Sequence, residues 1–184
     1  HELARARLAG RSSSSESFVP ARELPELVEV MRRTHAGRAL DFELQVPEGL
    51  VFRGDRQDLL ELFGNLLDNA AKWARERVIL RVSEGEDLDF TVEDDGPGIA
   101  EEEQERVFES FYRGDASANG KIKGSGLGLA IVREYVLAHQ GHVYVVEPGK
   151  PGGRFRVRLP LDLTRSDASL AQNNMQTQGD SIAA

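Results

Sequence analysis

Residues 57–73, QDLLELFGNLLDNAAKW, carry the pattern that decides how this chain folds. Read at helical period, Leu59, Leu62, Phe63, Leu66, Leu67, Ala70 and Ala71 form one broad apolar stripe, the mark of a helix buried along its back. At ~100° per residue, Asn65, Asn69 and Lys72 fall within roughly 60° of one another on the other face, flanked by Glu61 and Asp68. Two readings of that face stand. It is a polar surface that meets water, or a floor on which amides and an amine meet a metal ion and phosphates.

Working outward, Asp55 is placed to cap this helix and Asp58 to favour its dipole. Upstream, residues 50–53 read as a short strand and 40–46 (LDFELQV) as a half-buried one. Residues 21–34 read as a helix with Leu24, Leu27, Val28 and Met31 on one side, preceded by an extended segment at 18–20. Downstream, 77–83 and 88–93 are strands joined by a tight turn at Gly85 and Glu86, and DDGPGI at 94–99 must break the sheet. Residues 101–108 read as a short helix, and 109–123 as a long aperiodic loop. GSGLGL at 124–129 opens a helix to about Gln140, with Ile131, Val132, Tyr135 and Val136 on its buried side. Strands at 142–146 and 154–159 follow, and Pro160 ends the fold. This order predicts an α+β two-layer sandwich, a mixed sheet with all helices on one face.

Composition narrows the function. Of 184 residues, 40% are hydrophobic and 29% charged, the balance of one soluble globular domain. No apolar run approaches the ~20 residues of a membrane span. Cysteine is absent, which excludes disulfides and thiolate metal sites, and four histidines without an HExxH pattern argue against zinc. A net charge of −8 argues against non-specific nucleic-acid binding. Between Glu84 and Glu109 stand twelve acids and one base, Arg106: a solvated face, or a surface that steers a basic partner.

GSGLGL at a helix start offers unpaired backbone N–H groups to an anion, unless it is only a flexible hinge. It is not a Rossmann turn, because Leu129 stands where the third glycine belongs, and no P-loop is present. Three pieces occur in one order over sixty-five residues: NLLDNAAK at 65–72, DDGPGI at 94–99 and GSGLGL at 124–129, with FESFYR at 108–113 between the last two. Together they resemble the ATP-binding catalytic domain of sensor histidine kinases, within the superfamily of gyrase-, Hsp90-, histidine-kinase- and MutL-type ATPases. The resemblance covers residues 18–160 and implies the Bergerat-type ATP-binding fold, with its sheet mostly antiparallel.

By that resemblance Asn69, with Asn65 beside it, would hold the Mg²⁺ that bridges the ATP phosphates, and Lys72 would meet phosphate as a point charge. Trp73 would stack on adenine, or else is a core tryptophan. Asp95 would accept a hydrogen bond from the adenine amino group, which separates ATP from GTP, with Asp94 only its neighbour. Gly96, Gly98 and Ile99 would approach the base; Gly124, Ser125, Gly126, Leu127, Gly128 and Leu129 would approach the phosphates. Residues 100–123 would form a mobile lid pinned by Phe108 and Phe111, from which Arg113, Lys121 and Lys123 reach phosphate.

The superfamily spans hydrolases, phosphotransferases and chaperones. Its hydrolases carry a glutamate general base one turn before the magnesium asparagine. Here that position is Asn65, an amide that takes no proton at neutral pH, and Glu61 lies ~6 Å too far along the helix to replace it. Asn65, Lys72 and Arg113 are thus the residues expected to serve transfer of the γ-phosphate to a histidine on a separate helical, dimerising domain, and onward to a response regulator receiver domain. His1-Glu2-Leu3 fails to continue as the acceptor motif, so residues 1–17 read as the end of a dimerisation helix and a linker, left by truncation of a longer sensor. The remaining expectations are a monomeric fragment that binds ATP without phosphorylating itself and a disordered tail at 161–184. The parent is expected to be a homodimer in the bacterial inner membrane with this domain in the cytoplasm. The alternatives are an anti-sigma-factor-type serine kinase and a non-catalytic docking module gated by nucleotide.

Overall fold

The inward side chains of β4 (Arg77–Ser83) and β5 (Leu88–Asp94) alternate strictly: Val78, Leu80 and Val82 on one, Leu88, Phe90 and Val92 on the other are all buried. That period-2 pattern builds a sheet with one apolar face. In the computed structural model, which describes residues 17–85, 87–113 and 124–160 together with the backbone of 163–165, helices cover this face. The five-stranded sheet has the order β2-β4-β5-β7-β6, where β2 is Asp41–Gln45, β6 is His142–Val145 and β7 is Arg154–Leu159. Only the β2–β4 pair is parallel, with Asp41 opposite Arg77; the other neighbours are antiparallel.

α2 (Arg56–Trp73) lies against this sheet, and its buried residues are Leu59, Leu62, Phe63, Leu66, Leu67, Ala70 and Ala71, the whole predicted stripe. Asp55 caps it as expected, accepting the N–H groups of Gln57 (2.9 Å) and Asp58 (3.1 Å). Phe63 stacks on Phe18 at 5.6 Å and on Phe90 at 4.2 Å, so one ring ties β1 (Ser17–Phe18), α2 and β5 into a single core. α1 (Pro20–Thr34) packs on α2 with Pro20 opening its first turn, where a missing N–H costs nothing. α3 (Gly128–Ala138) packs on the other side of α2.

Four expectations change. A second sheet of order β1-β3-β8 exists, in which β3 (Leu50–Arg53) pairs with β8 (Leu163–Arg165), so the fold continues past Pro160. Edge pairing of backbone groups, which a polar sequence does not announce, explains the difference. Residues 101–108 form two 3₁₀ turns, Glu101–Glu103 and Arg106–Phe108, rather than one helix. The last helix begins at Gly128, four residues later than the motif suggested, and Ile131 is partly exposed instead of buried. Part of the acidic run is not free in solvent. On the open face of the sheet Asp89 takes both arms of Arg156 (2.9 and 2.7 Å), Asp87 pairs with Arg158 (2.8 Å), and Glu93 with Arg154 (3.0 Å) and Arg81. Residues 1–16, 86, 114–123, 161, 162 and 166–184 lie outside the described residues, and with them the expected helix remnant, the later part of the lid and all of the expected tail except 163–165.

Candidate nucleotide site

The polar face of α2 turns toward a cavity and stays only partly exposed from Asn65 onward. Asn65, Asn69, Lys72 and Trp73 line one wall of a cavity of about 230 Å³. Facing them is the glycine-rich entry to α3, with Gly124, Ser125, Gly126, Gly128 and Leu129 on the wall. The approach is close: a Cβ on Gly128 would lie 3.2 Å from Oδ1 of Asn65, and one on Gly124 would lie 3.6 Å from Nζ of Lys72. Backbone N–H groups at a helix start, two amides and an ammonium therefore share one space, the combination that suits phosphate and a hard cation.

The far end of the cavity is built by β5 and the bend after it. Asp94 lines the cavity, with Oδ1 accepting the N–H of Gly96 (2.8 Å) and of Gly153 (3.3 Å). Burial pushes its carboxyl up to about 6; the two N–H bonds pull the other way, and Asp95 next door adds to the rise. Gly98 and Ile99 continue the wall, and Phe155 of β7 contributes an apolar patch. Gly98 has φ +89°, and a Cβ there would collide with the carbonyl of Lys150. The bend is braced by the turn at residues 146–153: Gly152 donates to Gly96 O (2.9 Å), Gly149 to Ile99 O (2.7 Å), and Asp94 N to Gly153 O (2.8 Å).

Asp95 is a correction. It does not line the cavity; its carboxylate accepts the backbone N–H groups of Arg75 (2.7 Å), Glu76 (3.2 Å) and Arg77 (3.1 Å), where the chain leaves α2. Burial would raise its pKa, but the N–H groups of Arg77, Glu76 and Arg75 prevail and the net shift is downward. Which of the two acids faces the cavity is legible in the sequence. Strand alternation puts Asp94 on the side of Leu88, Phe90 and Val92, facing α2, and Asp95 on the other side.

At the mouth, Arg113 lines the cavity as expected, beside Tyr112 and Glu103, whose hydrogen bond (Tyr112 Oη donating to Oε1, 2.6 Å) motif reading missed. The guanidinium of Arg106 sits 4.6 Å from the Tyr112 ring centroid, bracing the same corner. Phe108 is buried edge-on to Phe155 at 5.9 Å, but Phe111 is 71% exposed and so does not pin a lid through its ring. Its backbone does the holding: Phe111 adopts φ +65° and donates its N–H to Gly126 O at 2.9 Å. Gly96 and Leu127 are not on the cavity wall; Leu127 is the residue preceding α3. Lys121 and Lys123 lie outside the described residues.

With this geometry in view, the comparisons are specific. The chain belongs to the histidine kinase-, DNA gyrase B- and HSP90-like ATPase family, whose model matches residues 54–163. Within that family it corresponds to the catalytic ATP-binding domain of sensor histidine kinases. It is 41% identical over 161 residues to the sensor protein kinase CarS of Pseudomonas aeruginosa, covering 87% of this chain and 35% of that protein. The structure of the mycobacterial sensor histidine kinase MprB superposes with TM-score 0.69 at 32% identity, over 82% of this chain and 99% of that one. That of full-length ShkA in complex with AMPPNP gives 0.74 at 26% identity, over 90% and 35%. The chain spans about a third of the length of the curated relatives it matches. Among the described residues no helix is long and apolar enough to cross a membrane.

Proposed function

We propose that this domain holds ATP with Mg²⁺ and presents the γ-phosphate to a histidine on a separate helical domain, for relay to a response regulator. The observation that carries the reading is Asn65 on the cavity wall one turn before Asn69, an amide where a hydrolase needs a carboxylate. The cavity's other acids are already engaged. Asp94 is buried and bonded to two N–H groups, Asp68 holds Lys72, and Glu103 accepts from Tyr112.

The donors fit the ion. Magnesium prefers oxygen donors, so the amide oxygens of Asn69 and Asn65 on the cavity wall would share it with phosphate oxygens. Magnesium would supply charge neutralisation across the phosphates. Lys72 and Arg113 add positive charge on either side, and the N–H groups at the start of α3 orient the phosphate chain. Asp94, not Asp95, would accept from the adenine amino group, and Trp73 flanks the base. GTP presents a carbonyl there, and a carboxylate cannot donate to it. The dimeric, membrane-anchored parent, with this domain on the cytoplasmic side, belongs to the same reading.

The test is a pair of measurements. Mg·ATP raises the melting temperature of this chain and Mg·GTP does not. With γ-labelled ATP, acid-labile phosphate appears on an added helical domain of the parent kinase and not on this chain alone. Steady phosphate release to water, or no transfer to the helical domain, would overturn the proposal.

A further inference from the structure

A line of side chains runs from the end of α1 to the cavity floor. His35 follows the last residue of α1 and donates its backbone N–H to Met31 O at 3.0 Å. Its side chain is only 12% exposed, and Nε2 lies 3.0 Å from Oδ1 of Asp68. A carboxylate can only accept, so Nε2 carries the hydrogen of this bond. The second oxygen of Asp68 takes Nζ of Lys72 at 2.5 Å, and Lys72 faces Gly124 of the glycine loop. The same turn sends the guanidinium of Arg38 to the carbonyls of Ala71 (2.5 Å), Lys72 (2.8 Å) and Ala74. Side chain and backbone at the end of α2 are both gripped from residues 35–38.

The grip matters because lysine is a point charge on a flexible stem. An i,i+4 partner alone holds it weakly when both are about a third exposed, as Lys72 and Asp68 are. Asp68 is different here, because its other oxygen is bonded to a largely buried ring at the end of α1. It cannot swing without breaking that bond. We infer that His35 is a positioning residue for the nucleotide's phosphates, acting through Asp68 to hold Lys72 against the glycine loop. This rests on the ATP reading above. It assigns a role in phosphate binding to a residue that touches no ligand.

A purely structural His35 would weaken every ligand alike, whereas a positioning one acts only where phosphate is present. The experiment therefore compares the dissociation constants of Mg·ATP and of adenosine, the latter by competition. The proteins are the wild type, His35→Ala, His35→Leu, His35→Gln and Lys72→Met. His35→Ala weakens Mg·ATP about three- to tenfold, the scale of one lost hydrogen bond, and leaves adenosine within about twofold. His35→Leu, which fills the space without an N–H, behaves the same and covers the case in which alanine unfolds the domain. His35→Gln, whose amide can donate to Asp68, restores most of the affinity. In the Lys72→Met background His35→Ala has no further effect. Equal losses for ATP and adenosine, no loss for either, or additivity with Lys72→Met would overturn the inference while the ATP reading stands. A wild type that fails to bind Mg·ATP overturns that reading and, with it, this one.

Discussion

Asp94 and Asp95 are adjacent in sequence, yet their carboxylates serve different structures: Asp94 lines the cavity between α2 and the glycine loop, and Asp95 closes the turn between α2 and β4. Substitution separates the two roles. Asp94→Ala weakens Mg·ATP by about tenfold or more in titration calorimetry, through loss of a buried acceptor. Asp95→Ala leaves the affinity nearly unchanged and lowers stability by about 1 kcal/mol, read from urea unfolding, as removal of a cap does. The reverse pattern would return the adenine contact to Asp95.

The raised pKa of Asp94, about 6, gives a signed pH dependence. Its folded value lies above the unfolded one, so the native state binds the proton more tightly, and this group's contribution to stability falls as pH rises through that window. Binding runs the other way. The adenine amino group favours the carboxylate, so near pH 6 the wild type releases a proton on binding Mg·ATP that Asp94→Asn does not. Calorimetry in two buffers of different ionisation enthalpy measures the difference, in which the titration of the nucleotide's own phosphates cancels. Equal proton release from both proteins would mean that Asp94 does not meet the base.

Most of the fold was legible, because burial imposes periods that sequence displays. The stripe of α2 emerged residue for residue, and the alternation in β4 and β5 fixed which side of the sheet is apolar. What escaped depends on contacts between segments far apart in the chain. No local pattern says that Gly152 bonds Gly96, that His35 reaches Asp68, or that β8 pairs with β3. The placement of Asp94 and Asp95 is of another kind: the alternation of β5, carried to its last residue, puts Asp94 on the side of Leu88, Phe90 and Val92.

Asn69→Ala weakens metal-dependent binding without harming the fold. Alanine favours a helix more than asparagine does, and Asn69 lies on the polar face, so melting temperature holds or rises. Affinity for ATP in the presence of Mg²⁺ falls about tenfold or more, the scale of losing a direct ligand together with its phosphate contact, whereas affinity in EDTA changes little. Unchanged Mg·ATP affinity by titration calorimetry would remove Asn69 from the site.

Gly98→Ala tests whether the turn at residues 146–153 is a structural part of the site. At φ +89° an L-residue is strained, and its Cβ would strike the Lys150 carbonyl, a backbone atom that cannot rotate away. The turn must shift, and it also carries the Gly153 N–H that Asp94 accepts and the Gly152 N–H that holds Gly96. Stability should fall by about 1–3 kcal/mol. Adenosine and ATP should weaken together, since the damage is at the base end of the cavity and not at the phosphates. Amide exchange would quicken at Gly152 and Gly153 while Asn65 and Asn69 stay protected. Loss of stability with both ligands bound as before would show that the turn braces the fold but not the adenine pocket.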